Sequence, residues 1–268
     1  MIDLGKKNLL GIGMDAVDYD GAVARVVRAA ELGEPYAVSA LAVHGLMTGV
    51  LDKEHRYRLN RFDLLTPDGQ PVRWALNWLH RCRLPDRVYG PNLMLRVCEA
   101  AANHGLPIYL FGGTPEMLKD LSKRLVERYP SLQIAGQQAS RFRKVTPDER
   151  NELVDTIRAS GAKITFVGLG CPRQEIWTYE LRERLSMPLL AVGAAFAFHA
   201  GQLEQAPRYL QDRGLEWAYR LTREPKRLWR RYVYLNPLYL SLLAGQAVGL
   251  YRPQSAAGQE PQEELLYG

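Results

Sequence analysis

The stretch that decides the fold is residues 163–192, KITFVGLGCPRQEIWTYELRERLSMPLLAV. Lys163–Gly168 and Leu189–Val192 are short apolar runs of strand length, and Pro172–Leu185 has the length and apolar spacing of a helix. A glycine-rich turn joins the first strand to this helix. Two strands that flank a helix within about thirty residues predict a parallel βαβ unit, because parallel neighbours need a crossover connection.

The same alternation continues toward the N-terminus. Further strand candidates are Asn8–Ile12, Tyr36–Ser39, Asp63–Thr66, Ile108–Phe111 and Gln133–Ala135. The helix patterns between them are Asp20–Leu32, Pro71–Leu79, Asn92–His104, Pro115–Arg128 and Pro147–Ser160. The sequence therefore predicts an α/β, Rossmann-like, mostly parallel sheet with helices on both faces, whose ligands bind at the carboxyl ends of the strands.

The composition fits a globular protein of a reducing compartment. The chain has 268 residues, of which 47% are hydrophobic and 24% are charged, ordinary values for an α/β domain with an extension. Cys82, Cys98 and Cys171 form no CxxC pair, which argues against a disulfide framework and against a structural zinc site. The first residues resemble neither a signal peptide nor a membrane span, so we expect a cytoplasmic location.

Most of the excess positive charge lies near the C-terminus. The net charge is +6, and residues 206–235 hold eight basic and three acidic residues. Pro237–Tyr251 adds an apolar run of about fifteen residues, shorter than the roughly twenty that span a bilayer. We expect an α/β core over 1–205, a helical basic appendage over 206–252 that binds the anionic inner face of the cell membrane, and a flexible tail over 253–268.

Asp68 lies in a Thr-Pro-Asp-Gly stretch that follows a strand and precedes a helix. Pro-Asp-Gly is by itself a turn signal, so a turn is one interpretation. The other is catalytic, because the carboxyl end of a parallel strand is where an α/β enzyme places a general base.

Two glycine-rich loops join a strand to a helix start, where backbone N–H groups and the helix N-terminus favour phosphate. A tight βα turn remains the alternative for both. Their candidate substrate-binding residues are Gly112, Gly113, Thr114, Gly168, Gly170, Gln174 and Glu175.

Three further motifs have structural explanations. Gly11-Ile-Gly-Met-Asp-Ala16 matches a dinucleotide fingerprint in spacing, but its helix starts too late to meet a pyrophosphate. Asp18 and Asp20 form a D-x-D, the pattern of a metal-held diphosphate, at positions where helix-capping carboxylates also occur. Cys171 and His199 lack sequence neighbours that would activate them, so we expect small buried and structural roles.

Several of these stretches, in this order, resemble the WecG/TagA/CpsF glycosyltransferase family (glycosyltransferase family 26) over about residues 8 to 235. The stretches begin with Thr66-Pro-Asp-Gly, Arg87-Val-Tyr-Gly-Pro-Asn-Leu93, Phe111-Gly-Gly-Thr and Val167-Gly-Leu-Gly-Cys-Pro-Arg-Gln-Glu175. They continue with Val192-Gly-Ala-Ala-Phe196, Ala200-Gly201, Ala206-Pro207, Gly214-Leu-Glu-Trp-Ala-Tyr-Arg220 and Glu224-Pro-Lys-Arg227. The resemblance implies inverting transfer from a UDP-sugar to a polyprenyl-diphosphate-linked sugar, with no metal and no other cofactor.

The resemblance also assigns residues. Asp68 falls on the family's catalytic base, and Ser39 falls where the family usually has a catalytic-site threonine. The implied substrate-binding residues, besides those of the two loops, are Arg87, Gly90, Asn92, Arg220, Arg227 and Arg230. Leu41, Asn92 and Ala197 replace the usual Asn, Asp and Asp. The stretches around Val43, Asp68 and Arg87 look more like exopolysaccharide members, including the xanthan-type β-glucosyltransferase, so we expect a hexose donor such as glucose, or else an N-acetylhexosamine.

A different class of function is also compatible with the basic segment. A non-catalytic adaptor that binds membrane or nucleic acid would explain that charge, but it would give Asp68 and the two loops no role. We therefore expect an enzyme whose partners are a UDP-sugar, a lipid-linked acceptor and an anionic membrane surface, without nucleic acid. Homo-oligomer formation is left open.

Overall fold

The computed structural model describes residues 1–253 and 258–268, without the side chains of Arg227, Arg230 and Arg231. The chain begins with an antiparallel hairpin of β1 (Asp3–Leu9) and β2 (Ile12–Val17). The predicted strand Asn8–Ile12 is therefore wrong, because Leu10 and Gly11 have positive φ angles and form the hairpin turn. This turn also removes the strand-to-helix context that a dinucleotide fingerprint requires.

The main sheet has six parallel strands. They are β3 (Tyr36–Leu41), β4 (Leu64–Pro67), β5 (Ile108–Gly112), β6 (Ile134–Gln138), β7 (Ile164–Gly168) and β8 (Pro188–Ala191), in the spatial order β4-β3-β8-β7-β5-β6. The predicted α/β class and parallel sheet are confirmed.

Helices connect the strands and cover both faces of the sheet. Those before β7 are α1 (Tyr19–Leu32), α2 (Val43–Leu51), α3 (Lys53–Leu59), α4 (Gln70–His80), α5 (Gly90–His104), α6 (Pro115–Arg128) and α7 (Pro147–Ala159). Those after it are α8 (Arg173–Leu185), α9 (Ala195–His199), α10 (Arg208–Asp212), α11 (Glu216–Arg223) and α12 (Pro225–Ala247). The sequence patterns missed α2 and α3, because both are short.

Successive side chains of each strand point to opposite faces, which gives the sheet two apolar layers. Leu110 belongs to the layer formed with α1, α5, α6 and α9. Its neighbour Phe111 belongs to the opposite layer and stacks on Trp177 of α8, with the ring centroids 4.8 Å apart. A third cluster joins the hairpin, α2, α4 and α12.

Threonine side chains cap two helices at the starts of the predicted ranges Pro115–Arg128 and Pro147–Ser160. The Thr114 hydroxyl accepts from the backbone N–H of Met117, and Thr146 forms a capping box with Glu149. A proline occupies the first turn of both helices.

The apolar C-terminal run packs partly on the core. Tyr239 and Leu243 of α12 are buried, and the Tyr239 hydroxyl donates to the Pro71 carbonyl at 2.9 Å. Gln246 exchanges hydrogen bonds with the hairpin backbone at Asn8 and Leu10. None of the helices in the described part of the chain is long and apolar enough to cross a bilayer.

Residues 258–268, which belong to the tail predicted as flexible over 253–268, contact the folded core. Glu264 pairs with Arg150, and the N–H of Leu265 donates to Glu180 at 2.7 Å. The Ser140 hydroxyl donates to the carbonyl of Gly268 at 2.6 Å. Two of these contacts, to Arg150 and Glu180, place this end of the chain beside α7 and α8.

Candidate active site

Asp68 lies at the carboxyl end of β4, where the sequence places it. Its backbone N–H donates to the carbonyl of Leu41, the last residue of β3, at 3.2 Å. The Asp68 side chain is half-buried, and its Oδ2 atom lies beside Gly90 in the first turn of α5. The parallel topology thus brings the carboxylate to the edge of the sheet at which α/β enzymes bind their ligands.

The surroundings of Asp68 raise the pKa of its carboxyl group to about 7. Burial is the main cause, because it disfavours the charged carboxylate. Arg87 opposes this effect, Glu216 reinforces it, and the Gly90 N–H and Arg220 again favour the ionised form. A carboxyl group that titrates near neutral pH is suited to general acid–base catalysis.

Gly90 leaves room for the Asp68 carboxylate. A Cβ at Gly90 would lie 3.2 Å from the Cβ of Ala40 and 3.5 Å from Oδ2 of Asp68. Any side chain here would therefore press on β3 and on the space beside the carboxylate. The absence of a side chain at Gly90 thus leaves space beside the Asp68 carboxylate.

Tyr19 is a neighbour of the site that sequence reasoning missed. Its hydroxyl accepts from the Tyr89 N–H at 2.9 Å and is hydrogen-bonded to the Asn92 side chain. Asn92 itself is exposed at the first turn of α5. Tyr19 comes from α1, far away in the chain, and no local motif marks it.

Arg87 is buried beside Asp68 and joins the core to the C-terminal appendage. Its guanidinium donates to Gln211 of α10 at 2.8 Å and pairs with Glu216 of α11 at 2.9 Å. The guanidinium carbon lies 4.2 Å from the centroid of the Tyr89 ring, whose hydroxyl donates to Glu216 at 3.2 Å. Gln211 and Glu216 carry no signal in the sequence, because their partners lie more than a hundred residues away.

Arg220 of α11 is the arginine of the appendage that the structure places near Asp68. It is half-buried, its charge favours ionisation of Asp68, and its Nε has no hydrogen-bond partner among the described residues. The side chains of Arg227 and Arg230 lie outside the described part of the chain, so their predicted roles stay predictions.

Ser39 and Glu175 lie in the interior of the protein rather than on its surface. Both are fully buried, and the Ser39 hydroxyl donates to Oε1 of Glu175 at 2.9 Å. Gln174 donates to the same oxygen at 2.8 Å through Nε2, and its Oε1 accepts from the Gly170 N–H at 3.1 Å. In this arrangement the Ser39 hydroxyl holds one oxygen of the Glu175 carboxylate in position.

The glycines of the two loops serve different purposes. A Cβ at Gly112 would lie 2.7 Å from the backbone of Gly168, so this glycine is required where β5 and β7 end side by side. A Cβ at Gly170 would meet no atom within 4 Å, so the backbone there faces open space. Gly113, beside Thr114, has a positive φ angle in the tight turn before α6. The structure thus supports a packing role for Gly112 and Gly168, and it leaves Gly170 able to approach a ligand.

The remaining polar motifs have structural partners. Asp18 caps α1 by accepting from the N–H of Gly21, and it also accepts from the N–H of Ile2 at 2.7 Å. Asp20 pairs with Arg96 on the surface. The capping interpretation of Asp18 is confirmed. A His199 ring nitrogen lies 2.9 Å from the Pro91 carbonyl oxygen, as expected of a structural histidine.

The fold places a carboxyl group of near-neutral pKa together with a buried and a half-buried arginine at the carboxyl end of a parallel sheet. The sequence profile described as the glycosyl transferase WecG/TagA/CpsF family matches residues 7–253. The chain belongs to this family and is therefore a glycosyltransferase of cell-surface polymer biosynthesis.

Proposed function

We propose that this chain is an inverting glycosyltransferase that moves a sugar from a UDP-sugar to a polyprenyl-diphosphate-linked saccharide, such as an undecaprenyl-linked acceptor. The observation that carries the proposal is Asp68, a carboxyl group of near-neutral pKa at the carboxyl end of the sheet, whose ionised form two arginines favour. Family membership indicates the class of reaction, which is glycosyl transfer. The residues around Asp68 suggest which groups accept the proton and stabilise the leaving group.

Inversion needs a single displacement at the anomeric carbon. The Asp68 carboxylate accepts the proton of the acceptor hydroxyl as this oxygen attacks, which contributes on the order of 10² to 10⁴ in rate. With a pKa of about 7, Asp68 is ionised in about half of the molecules at neutral pH and returns the proton readily afterwards.

The leaving UDP develops negative charge on its β-phosphate. Arg87 and Arg220 are two cations whose charges act on Asp68, and fixed cations of this kind would stabilise the charge that develops in the transition state. The D-x-D aspartates are used for capping and for an ion pair, so the arginines are the better candidates for diphosphate binding.

Arg87 is paired with Glu216. A diphosphate that binds Arg87 must therefore displace the Glu216 carboxylate. The appendage would move with Glu216, because α11 and α12 continue from it. Residues Arg220, Arg227 and Arg230 would then complete the site when the appendage meets the inner face of the membrane. This coupling would limit hydrolysis of the donor away from its acceptor.

A hexose donor such as UDP-glucose and a product of exopolysaccharide type are the finer assignments that we favour. Screening UDP-sugars with the purified chain and a lipid-diphosphate-saccharide acceptor tests the proposal. We expect transfer from one UDP-hexose or UDP-N-acetylhexosamine. A chain that binds anionic vesicles but transfers no sugar from any UDP donor to such acceptors would overturn it.

A further inference from the structure

His55, Cys171 and Glu175 bring three potential metal ligands together, and we name them the His–Cys–Glu cluster. An imidazole nitrogen, the Sγ atom and a carboxylate oxygen all lie within 4.8 Å of one another. The three side chains come from α3, from the loop between β7 and α8, and from the first turn of α8. The function proposed here for the cluster is separate from the proton transfer proposed for Asp68.

The cluster contains buried polar atoms that lack partners. His55 and Glu175 are at most 1% exposed. Three buried atoms have no hydrogen-bond partner among the described residues: the two ring nitrogens of His55 and the Oε2 atom of Glu175. A buried polar atom without a partner is costly, because it has lost its hydrogen bonds to water. Three of them in one cluster indicate a ligand that they share.

Two neighbouring side chains hold the Glu175 carboxylate in place. The Ser39 hydroxyl and the Gln174 amide both donate to Oε1, at 2.9 and 2.8 Å. Oε2 is thereby left for another partner. Hydrogen bonds that fix one oxygen of a carboxylate are typical of the second shell of a metal site.

We propose that the His–Cys–Glu cluster binds a zinc ion. Nitrogen, sulfur and oxygen ligands together suit zinc, and a thiolate with a carboxylate balances its double positive charge in a buried place. Ligand atoms around tetrahedral zinc lie roughly 3.3 to 3.8 Å apart, so the side chains need to approach by about 1 Å.

The ion would join α3 to the loop that carries Gly170 and to the first turn of α8. Gln174 lies in that turn, and its Oε1 atom accepts from the N–H of Gly170. The backbone at Gly170 faces open space. Zinc would therefore fix the second glycine-rich loop, with a water molecule at the fourth position that three protein ligands leave open. A sequence search for paired cysteines does not reveal such a site, because its ligands are 4 and 116 residues apart along the chain.

The competing explanation is a purely hydrogen-bonded cluster, because the Cys171 thiol also interacts with Glu175 and with the Thr48 hydroxyl. The two explanations differ in metal content. The full-length chain, freed of any affinity tag and purified without chelators, is equilibrated with zinc, desalted and analysed by mass spectrometry for metals. We expect about one zinc ion per chain.

Cobalt provides the second measurement. Wild-type protein should show a thiolate-to-cobalt charge-transfer band, which Cys171→Ser should lose and the control Cys82→Ser should keep. His55→Gln and Ser39→Ala should weaken zinc binding by about 10- to 100-fold. Folded wild-type protein that retains no zinc and gives no cobalt band would overturn the proposal, as would a Cys171→Ser variant that binds both metals like wild type. These outcomes do not depend on sugar transfer, and the wild-type measurements stand even where a variant fails to fold.

Discussion

The Arg87 guanidinium of the core lies 2.9 Å from the Glu216 carboxylate of α11, and both groups act on Asp68. Arg87 favours the ionised form of Asp68, and Glu216 disfavours it. One ion pair therefore connects the position of the appendage with the protonation of the proposed base. This connection leads to the first prediction.

The pH dependence of transfer should report the Asp68 carboxyl group. Since the base acts when ionised, kcat/KM should rise with pH through an apparent pKa of about 7. Glu216→Gln removes a negative neighbour, so the carboxylate becomes easier to form and this limb should move to lower pH. Steady-state rates across the pH range check the shift, and a limb that stays in place or moves to higher pH would contradict the electrostatic account.

Asp68→Asn should lower transfer by about 10² to 10⁴-fold, because an amide cannot accept the acceptor proton. UDP affinity should stay within a few-fold of wild type, since the base acts on the acceptor. Asp20→Asn is the matched control, because Asp20 is an exposed carboxylate on α1 that pairs with Arg96. Loss of UDP binding or of the fold in Asp68→Asn would mean that Asp68 is a structural turn residue.

Arg220→Gln should lower kcat by about 10²-fold, because a cation that stabilises the leaving diphosphate acts mainly in the transition state. Arg223→Gln serves as the control on the same helix, where Arg223 pairs with Glu204 at an exposed position. Single-turnover rates with a water-soluble acceptor separate this effect from membrane binding. Equal rates for both variants would exclude Arg220 from the reaction.

The exposed apolar face of α12 should contribute to membrane binding. Val233, Tyr234 and Leu240 are 59%, 70% and 62% exposed. Replacing all three by serine should reduce co-sedimentation with anionic liposomes and leave transfer to a soluble acceptor unchanged. Leu32→Ser, at an exposed leucine of α1, is the control. Unchanged sedimentation of the triple variant would remove the membrane argument for this face.

Local patterns predicted most of the architecture. The βαβ stretch over 163–192 predicts the parallel sheet, and the helix patterns over Pro115–Arg128 and Pro147–Ser160 predict α6 and α7. Asp68 was found because a turn motif at a strand end is visible in the sequence. The hairpin turn at Leu10 was missed, because an apolar run does not show a positive φ angle.

Long-range partners could not be predicted. Glu216 pairs with Arg87 and Glu264 with Arg150 across more than a hundred residues, and neither pair leaves a local pattern. The same holds for Tyr19, which reaches the site from α1. Their positions depend on how α1, α11 and the C-terminal residues pack on the sheet, and that packing is decided by tertiary contacts.

The proposed reaction is a single displacement assisted by Asp68, and such a reaction inverts the configuration of the anomeric carbon. The chain is incubated with an α-linked UDP-hexose, or UDP-N-acetylhexosamine, that supports transfer and with a lipid-diphosphate-saccharide acceptor. Proton NMR then gives the configuration of the new linkage. We expect a β-linkage that forms with the wild-type protein and not with Asp68→Asn. An α-linkage, or equal formation of product by both proteins, would contradict it.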